Sequence, residues 1–356
     1  MPMKRAFFFL VFAATALQSV ACSTFFINHN GQLVFGRNYD WVAGTGMVCT
    51  NQRGLAKTSF PVSDGRTISW TSKYGSISFN QYGKEFPTGG MNEKGLVVEL
   101  MWLDETKYPG QDSRPAIGVL QWVQYQLDNC ATIEEVAATD KVLRITSTST
   151  PLHYLVADAG GNAATIEFLD GKLVVHKGNQ LAFPVLTNSV YEESVQYAKA
   201  SLNGSSTSGG NNSIDRFVTA CSMIQQYKAK PGNASVIDHS FSILDKVSQG
   251  DHTKWSIVYD VSNRRVYFKT LAAKQIKSVE FAAFKFECDQ PSQVMDINAK
   301  TNGNVSRSFQ PFSTSFNRNI VSETAYLSRN DVNISKGEQE ALVEYAGLVS
   351  CDAKVK

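Results

Sequence analysis

Strand-like runs of apolar and β-branched residues dominate the first third of the chain. Runs at 22–28 and 32–35 flank His29-Asn30-Gly31, where Asn-Gly favours a tight hairpin turn. Further runs of this kind lie at 67–70, 76–80 and 96–103. Near the middle, 165–169 and 172–176 bracket Asp170-Gly171, a second hairpin signal, and 255–261 with 264–270 around Ser262-Asn263 give a third. Helical spacing interrupts this pattern. Residues 114–129 carry apolar side chains at helical intervals behind Pro115, a favourable early helix position. Thr132-Ile133-Glu134-Glu135 has the form of a capping box for a short second helix. After the polar stretch 203–212, Ser213 is expected to cap a helix whose apolar stripe is Ile214, Phe217, Val218, Cys221 and Ile224. The chain beyond about Pro291 is rich in Asn, Ser and Gln and is placed only as a C-terminal extension, 291–356. No internal repeat is evident. Antiparallel strands with helices laid over them predict an α+β layered domain.

The start of the chain follows a different logic. Lys4 and Arg5 precede an apolar run over 6–17, and Ser19 and Ala21 supply small side chains just before Cys22. That order predicts a removed export signal over 1–21, too short to span a bilayer, and a mature protein that is periplasmic or secreted. Over the whole chain, 34 Lys and Arg face 32 Asp and Glu. Loss of Lys4 and Arg5 brings the two counts level. No polybasic run interleaved with aromatics appears, so nucleic acid is not an expected partner. The remaining 22–356, in a sequence that is 43 % apolar, suffices for one catalytic domain with a sizeable core. The six cysteines include no C-x-x-C pair, so neither a zinc knuckle nor a thioredoxin-like site is expected. If Cys22 is reserved for chemistry, an odd number remains. Cys288 with Cys351 is one pairing that export would permit, and the sequence leaves it open.

A thiol on the first residue of a mature chain has a free α-amine beside it. That amine, with a reference pKa of about 7.7–8.0, is substantially neutral near pH 7–8 and accepts a proton from the thiol directly or through one water. Nucleophile and base then occur on one residue, with no histidine partner required. Lipidation is the competing reading. It would consume both groups and leave a lipid-anchored, non-catalytic binding protein, but Ser19 stands where lipoprotein leaders usually carry leucine.

Other residues favour chemistry. The run FGRNYDW, 35–41, returns from the first hairpin to the chain start. Arg37 is therefore placed to stabilise a thiolate and Asp40 to orient the ammonium. In GGMNEKGL, 89–96, Asn92 sits in a Gly-bounded turn, and in LTNS, 186–189, Asn188 ends an apolar strand. Amides at strand ends are suitable oxyanion donors. Arg216 falls just inside the helix after Ser213.

Cys22 followed by GRNYD, MNEKGL, LTNS and DRF, in that order, resembles the choloylglycine hydrolase family, which includes bile salt hydrolases and penicillin V acylases among the N-terminal-nucleophile hydrolases. The similarity runs from Cys22 to about residue 270, with further likeness at 70–76 and 122–132. The resemblance implies a four-layer αββα sandwich and hydrolysis of linear, non-peptide amide C–N bonds. Cys22 would be nucleophile and base, Arg37 and Asp40 would tune it, Asn92 and Asn188 would hold the oxyanion, and Arg216 would support the charge network. Trp41 and Trp102 would border an apolar substrate pocket. Neither metal nor organic cofactor is implied, and the partner is a small acyl amide. The family's common homotetramer is less well implied, because the segment between Asn188 and Arg216 is short. Penicillin V and conjugated bile salts are the leading substrates, with N-acyl homoserine lactones behind them.

Overall fold

The computed structural model describes residues 22–203, 210–230 and 232–351; the expected export signal, 1–21, lies outside them. Strands β1 (Ser23–His29) and β2 (Gln32–Asp40) form the first hairpin. It turns at Asn30 and Gly31, whose φ values of 50° and 76° are left-handed and suit an Asn-Gly pair. The pairing of Ser23 with Asn38 brings the end of β2 back beside Cys22. Thr253–Asp260 pairs with the other edge of β2, so β2 lies in the interior of a seven-stranded sheet.

Six strands follow: β3 (Met47–Asn51), β4 (Leu55–Thr58), β5 (Ser69–Thr71), β6 (Ser76–Asn80), β7 (Pro87–Asn92) and β8 (Val97–Trp102). Of these, β3, β6, β7 and β8 belong to a nine-stranded sheet with Leu152–Ala157, Ala163–Leu169 and Lys172–Lys177. Alternation along β8 joins the layers. Val97 and Met101 enter the cluster between the two sheets, while Val98 and Leu100 enter the cluster under α1 (Val119–Asn129) and α2 (Ile133–Ala138). On the other sheet, α4 (Ser213–Ala229) packs against β1 and α5 (Val236–Lys246) against β2, with α3 (Tyr191–Leu202) beside α4. The result is the expected four-layer αββα sandwich.

Three local expectations are corrected. The first long helix begins at Val119 rather than 114, because Ala116–Ile117 pairs as a short strand with Arg144–Ile145. The cap of α4 is Asn212, whose side chain accepts from the Asp215 N–H. Ser213 is already helical, and its hydroxyl is engaged elsewhere. The extension is also ordered. Gln293–Asp296 pairs with β3 in the nine-stranded sheet, and Ser350–Cys351 pairs with β4. Between them α6 (Thr314–Leu327) and α7 (Lys336–Tyr345) pack on each other. Cys288 and Cys351 form a disulfide.

Candidate active site

Cys22 lies directly before β1 and is 3 % exposed; its thiol points at the Asp40 carbonyl oxygen, 3.8 Å away. Three further residues expected from the sequence meet it there. Arg37 is fully buried on β2. Its Nη1 donates to Thr88 O at 3.1 Å and its Nη2 to Leu100 O at 3.0 Å, and Nη1 also pairs with the Glu99 carboxylate. Tyr259 donates its hydroxyl proton to the other Glu99 oxygen. Two glycines make this geometry feasible. A Cβ on Gly36 would collide with the Phe25 ring, and one on Gly89 would collide with the Glu99 carboxylate. The glycine before Arg37 therefore lets β1 and β2 pair closely, and Gly89 makes room for the carboxylate behind it.

Asp40 is buried, and one carboxylate oxygen accepts from the Thr253 hydroxyl. The other oxygen, and Arg37 Nε, have no hydrogen-bond partner among the described residues. Burial pushes the Asp40 carboxyl up to about 7 against the pull of Thr253, Arg216 and Arg37. Glu99 is raised to about 7 for the same reason, with Arg37 and Tyr259 opposing. The Cys22 thiol is also raised, chiefly by burial, and the Arg37 charge is the largest influence that favours its thiolate.

Arg216 enters from α4. Its Nε donates to Ser23 Oγ at 3.1 Å, and its Nη2 donates to Asn188 Oδ1 at 3.0 Å and to Cys22 O at 3.5 Å. The bond from Arg216 fixes which way the Asn188 amide faces, and Asn188 Nδ2 then donates one hydrogen to Trp102 O at 2.8 Å. An amide nitrogen carries two hydrogens, so one remains for a ligand. Ser213 Oγ holds Asn188 from behind by accepting from its N–H at 2.8 Å.

Asn92 differs from Asn188 in how far its amide is committed. It is fully buried, its Nδ2 donates to Leu127 O and Cys130 O, and its Oδ1 accepts from the Lys94 and Leu96 N–H groups. All four of its hydrogen-bonding positions are committed to joining the β7–β8 turn to the end of α1. The oxyanion role expected of Asn92 is therefore not available to it.

Trp41 and Trp102 stack with ring centroids 6.3 Å apart. Both line a cavity of about 160 Å³ that opens onto Cys22, with Leu100, Leu152 and Leu342 among its other walls. The cavity is overwhelmingly apolar and ends at a sulfur flanked by charge. Such a site can bury an apolar acyl group while presenting its carbonyl to a nucleophile. Among the described residues, no group of three or more metal-ligating side chains occurs.

Several participants escape a sequence reading. Glu99 was visible as the one acid in the apolar run 96–103, on the face shared with Val97 and Met101. Thr253 carries no distinguishing signal, and Ser213 is expected only as a helix cap, not as the support of Asn188. His153 supports the site from further back: its Nε2 donates to Thr187 O at 2.6 Å, and its Nδ1 lies 3.2 Å from Glu167. Thr187 directly precedes Asn188.

Comparisons with known proteins identify relatives of the whole fold. The model of the linear amide C–N hydrolases, choloylglycine hydrolase family, matches residues 22–294. The chain is 28 % identical over 265 residues to a penicillin V acylase of Pectobacterium atrosepticum, covering 62 % of this chain and 69 % of that one. The structure of penicillin V acylase from Agrobacterium tumefaciens superposes with a TM-score of 0.71 at 27 % identity, covering 82 % of this chain and 98 % of its own. A mutant of the conjugated bile acid hydrolase from Clostridium perfringens shares the fold with a TM-score of 0.65 at 17 % identity, over 79 % and 98 % of the two chains. With its sulfur, guanidinium and carboxylates gathered at the end of one hairpin, the chain belongs to the choloylglycine hydrolase family of linear amide C–N hydrolases.

Proposed function

We propose that this hydrolase is an acylase of the penicillin V acylase type, which removes a small aryl or alkyl acyl group from a linear amide with Cys22 as its nucleophile. The observation that carries the reading is the apolar cavity at the sulfur. Its 160 Å³ is close to the roughly 150 Å³ of an engineered protein cavity that binds one benzene ring. A phenoxyacetyl group places one ring there. A fused four-ring steroid is larger than this volume.

In this reading, removal of 1–21 on export frees the α-amine of Cys22. As Sγ bonds to the acyl carbon, the thiol proton passes to that amine, and the carbonyl becomes an oxyanion that accepts from the second Asn188 Nδ2 hydrogen. Collapse breaks the C–N bond, and the ammonium returns its proton to the departing amine. Water then gives a proton to the α-amine and attacks the thioester, which releases the carboxylic acid and restores the thiol. Arg37 favours the thiolate by its charge, and Asp40 holds the ammonium. Arg216 keeps Asn188 and the Cys22 backbone in place.

A parallel assay tests the substrate assignment with penicillin V, glycocholate, taurocholate and a long-chain N-acyl homoserine lactone. Penicillin V should be preferred in kcat/KM by about tenfold or more, the discrimination an apolar pocket reaches on size. A preference for either bile salt or for the lactone would overturn it.

A further inference from the structure

The cavity beside Cys22 has a wall that comes from outside the family-matched region. The match ends at residue 294, yet Val332, Ile334 and Leu342 line the same cavity as the sulfur. Val332 and Ile334 are half-buried and alternate with exposed Asp331 and Asn333. Asp331 and Val332 close a turn on Ser328 O, and the segment forms the linker between α6 and α7. Ser335 and Glu338 cap α7 reciprocally just after Ile334, which fixes where the linker stops and the helix begins. Leu342 follows from α7 itself.

Polar bonds hold this helical pair against the catalytic layers. Buried Asn317 of α6 accepts from the Lys84 N–H at 3.0 Å and donates to Val343 O at 3.2 Å. Tyr345 of α7 donates to Thr58 O at 2.7 Å. Arg318 and Glu340 pair between the two helices, and the Cys288–Cys351 disulfide ties the chain end down. The wall is thus positioned by bonds that do not depend on what occupies the cavity. A segment serving only to complete the core would close the space, because protein interiors pack densely. This one leaves about 160 Å³ in front of the nucleophile.

We infer that the α6–α7 linker and Leu342 form the gauge of the acyl pocket: Val332, Ile334 and Leu342 set the size of the acyl group that reaches Cys22. The inference rests on the reading of this cavity as the acyl site. An apolar pocket discriminates roughly 10- to 200-fold per methylene, so trimming this wall should move the preferred acyl length.

The test measures kcat/KM for N-acyl amides that share one amine, with butyryl, hexanoyl, octanoyl, decanoyl and phenoxyacetyl groups. It compares the full-length wild type with Leu342→Ala, Ile334→Ala and Ile334→Phe. Both alanine variants should raise the decanoyl-to-butyryl ratio by about tenfold or more. Ile334→Phe should lower the phenoxyacetyl-to-butyryl ratio by a similar factor. Binding of the free carboxylic acids, measured by calorimetry, reads the same preference without turnover. Acids that shift in size order among variants of an enzyme that hydrolyses none of the amides would leave the gauge standing and remove the proposed function. Unchanged acyl preference in both readouts would overturn the gauge while an active wild type kept the proposed function. Thermal unfolding identifies a variant that does not fold, and Val332→Ala in the linker then carries the same test.

Discussion

Among the described residues, two of the clusters of buried charge differ in how completely they are paired. Under the extension, Lys57 Nζ contacts Glu85 at 2.5 Å and Asp128 at 2.9 Å, and Lys84 Nζ contacts the other Glu85 oxygen at 2.5 Å. Trp70 and Gln124 complete the Asp128 carboxylate. Lys57 and Lys84 hold the Glu85 carboxyl down although burial opposes it, while burial and the Glu85 charge raise that of Asp128. Beside Cys22, by contrast, Asp40 Oδ2 and Arg37 Nε lack partners among the described residues, and Asp40 and Glu99 are pushed up to about 7. Both clusters are removed from water, so solvation does not separate them. The closed cluster spends its charges on itself and fixes the chain. The open one keeps bonding capacity for groups that arrive during the reaction, which is how perturbed carboxyls come to mark functional sites.

Mutations should separate the two clusters by which property fails. Cys22→Ser should lower kcat by roughly a thousandfold or more with its thermal unfolding midpoint little changed, as assay and calorimetry on one preparation would record. Lys57→Met leaves two carboxylates buried without their shared cation. It should cost about 3–5 kcal/mol in denaturant unfolding, while kcat/KM of the folded fraction stays near wild type. Asn188→Ala should reduce kcat about a hundredfold, the effect of losing one oxyanion donor, in steady-state kinetics. If Asn92→Ala lowered kcat as much without lowering stability, the distinction between the two asparagines would be lost.

The smallest effect concerns pH. Carboxyls raised to about 7 in the folded protein titrate near 4 when unfolded. Between those values the folded state holds more protons, so stability should fall as pH rises from about 4 to about 7. Glu99→Gln removes one of the two groups. The change in melting temperature across that window should be shallower in this variant than in wild type, whatever its absolute stability.

The catalytic hairpin was legible because its information is local. Asn30-Gly31 sets a tight turn, the turn sets the register, and the register returns Arg37 and Asp40 to Cys22. Arg216 reaches the same end of the molecule through bonds to Ser23 and Asn188 that span the chain. Asn92 shows where such reading stops: a Gly-bounded turn asparagine looks the same whether its amide is free or fully used. The four bonds that commit it involve the end of α1 and its own turn, and they appear only on folding. The extension stayed unassigned for a different reason. Its helices are marked by caps at Ser313 and Ser335, a signal that apolar periodicity does not weigh. The alternation of Val332 and Ile334 covers too few residues to stand out.

The pairing of sulfur and amine on Cys22 is tested most directly by single-turnover acylation rates of two forms, one beginning at Cys22 and one with a single glycine before it. The added residue turns the amine into an amide that accepts no proton. The extended form should acylate about a hundredfold more slowly or worse, the usual contribution of a positioned base. Equal rates in the two forms would contradict the account.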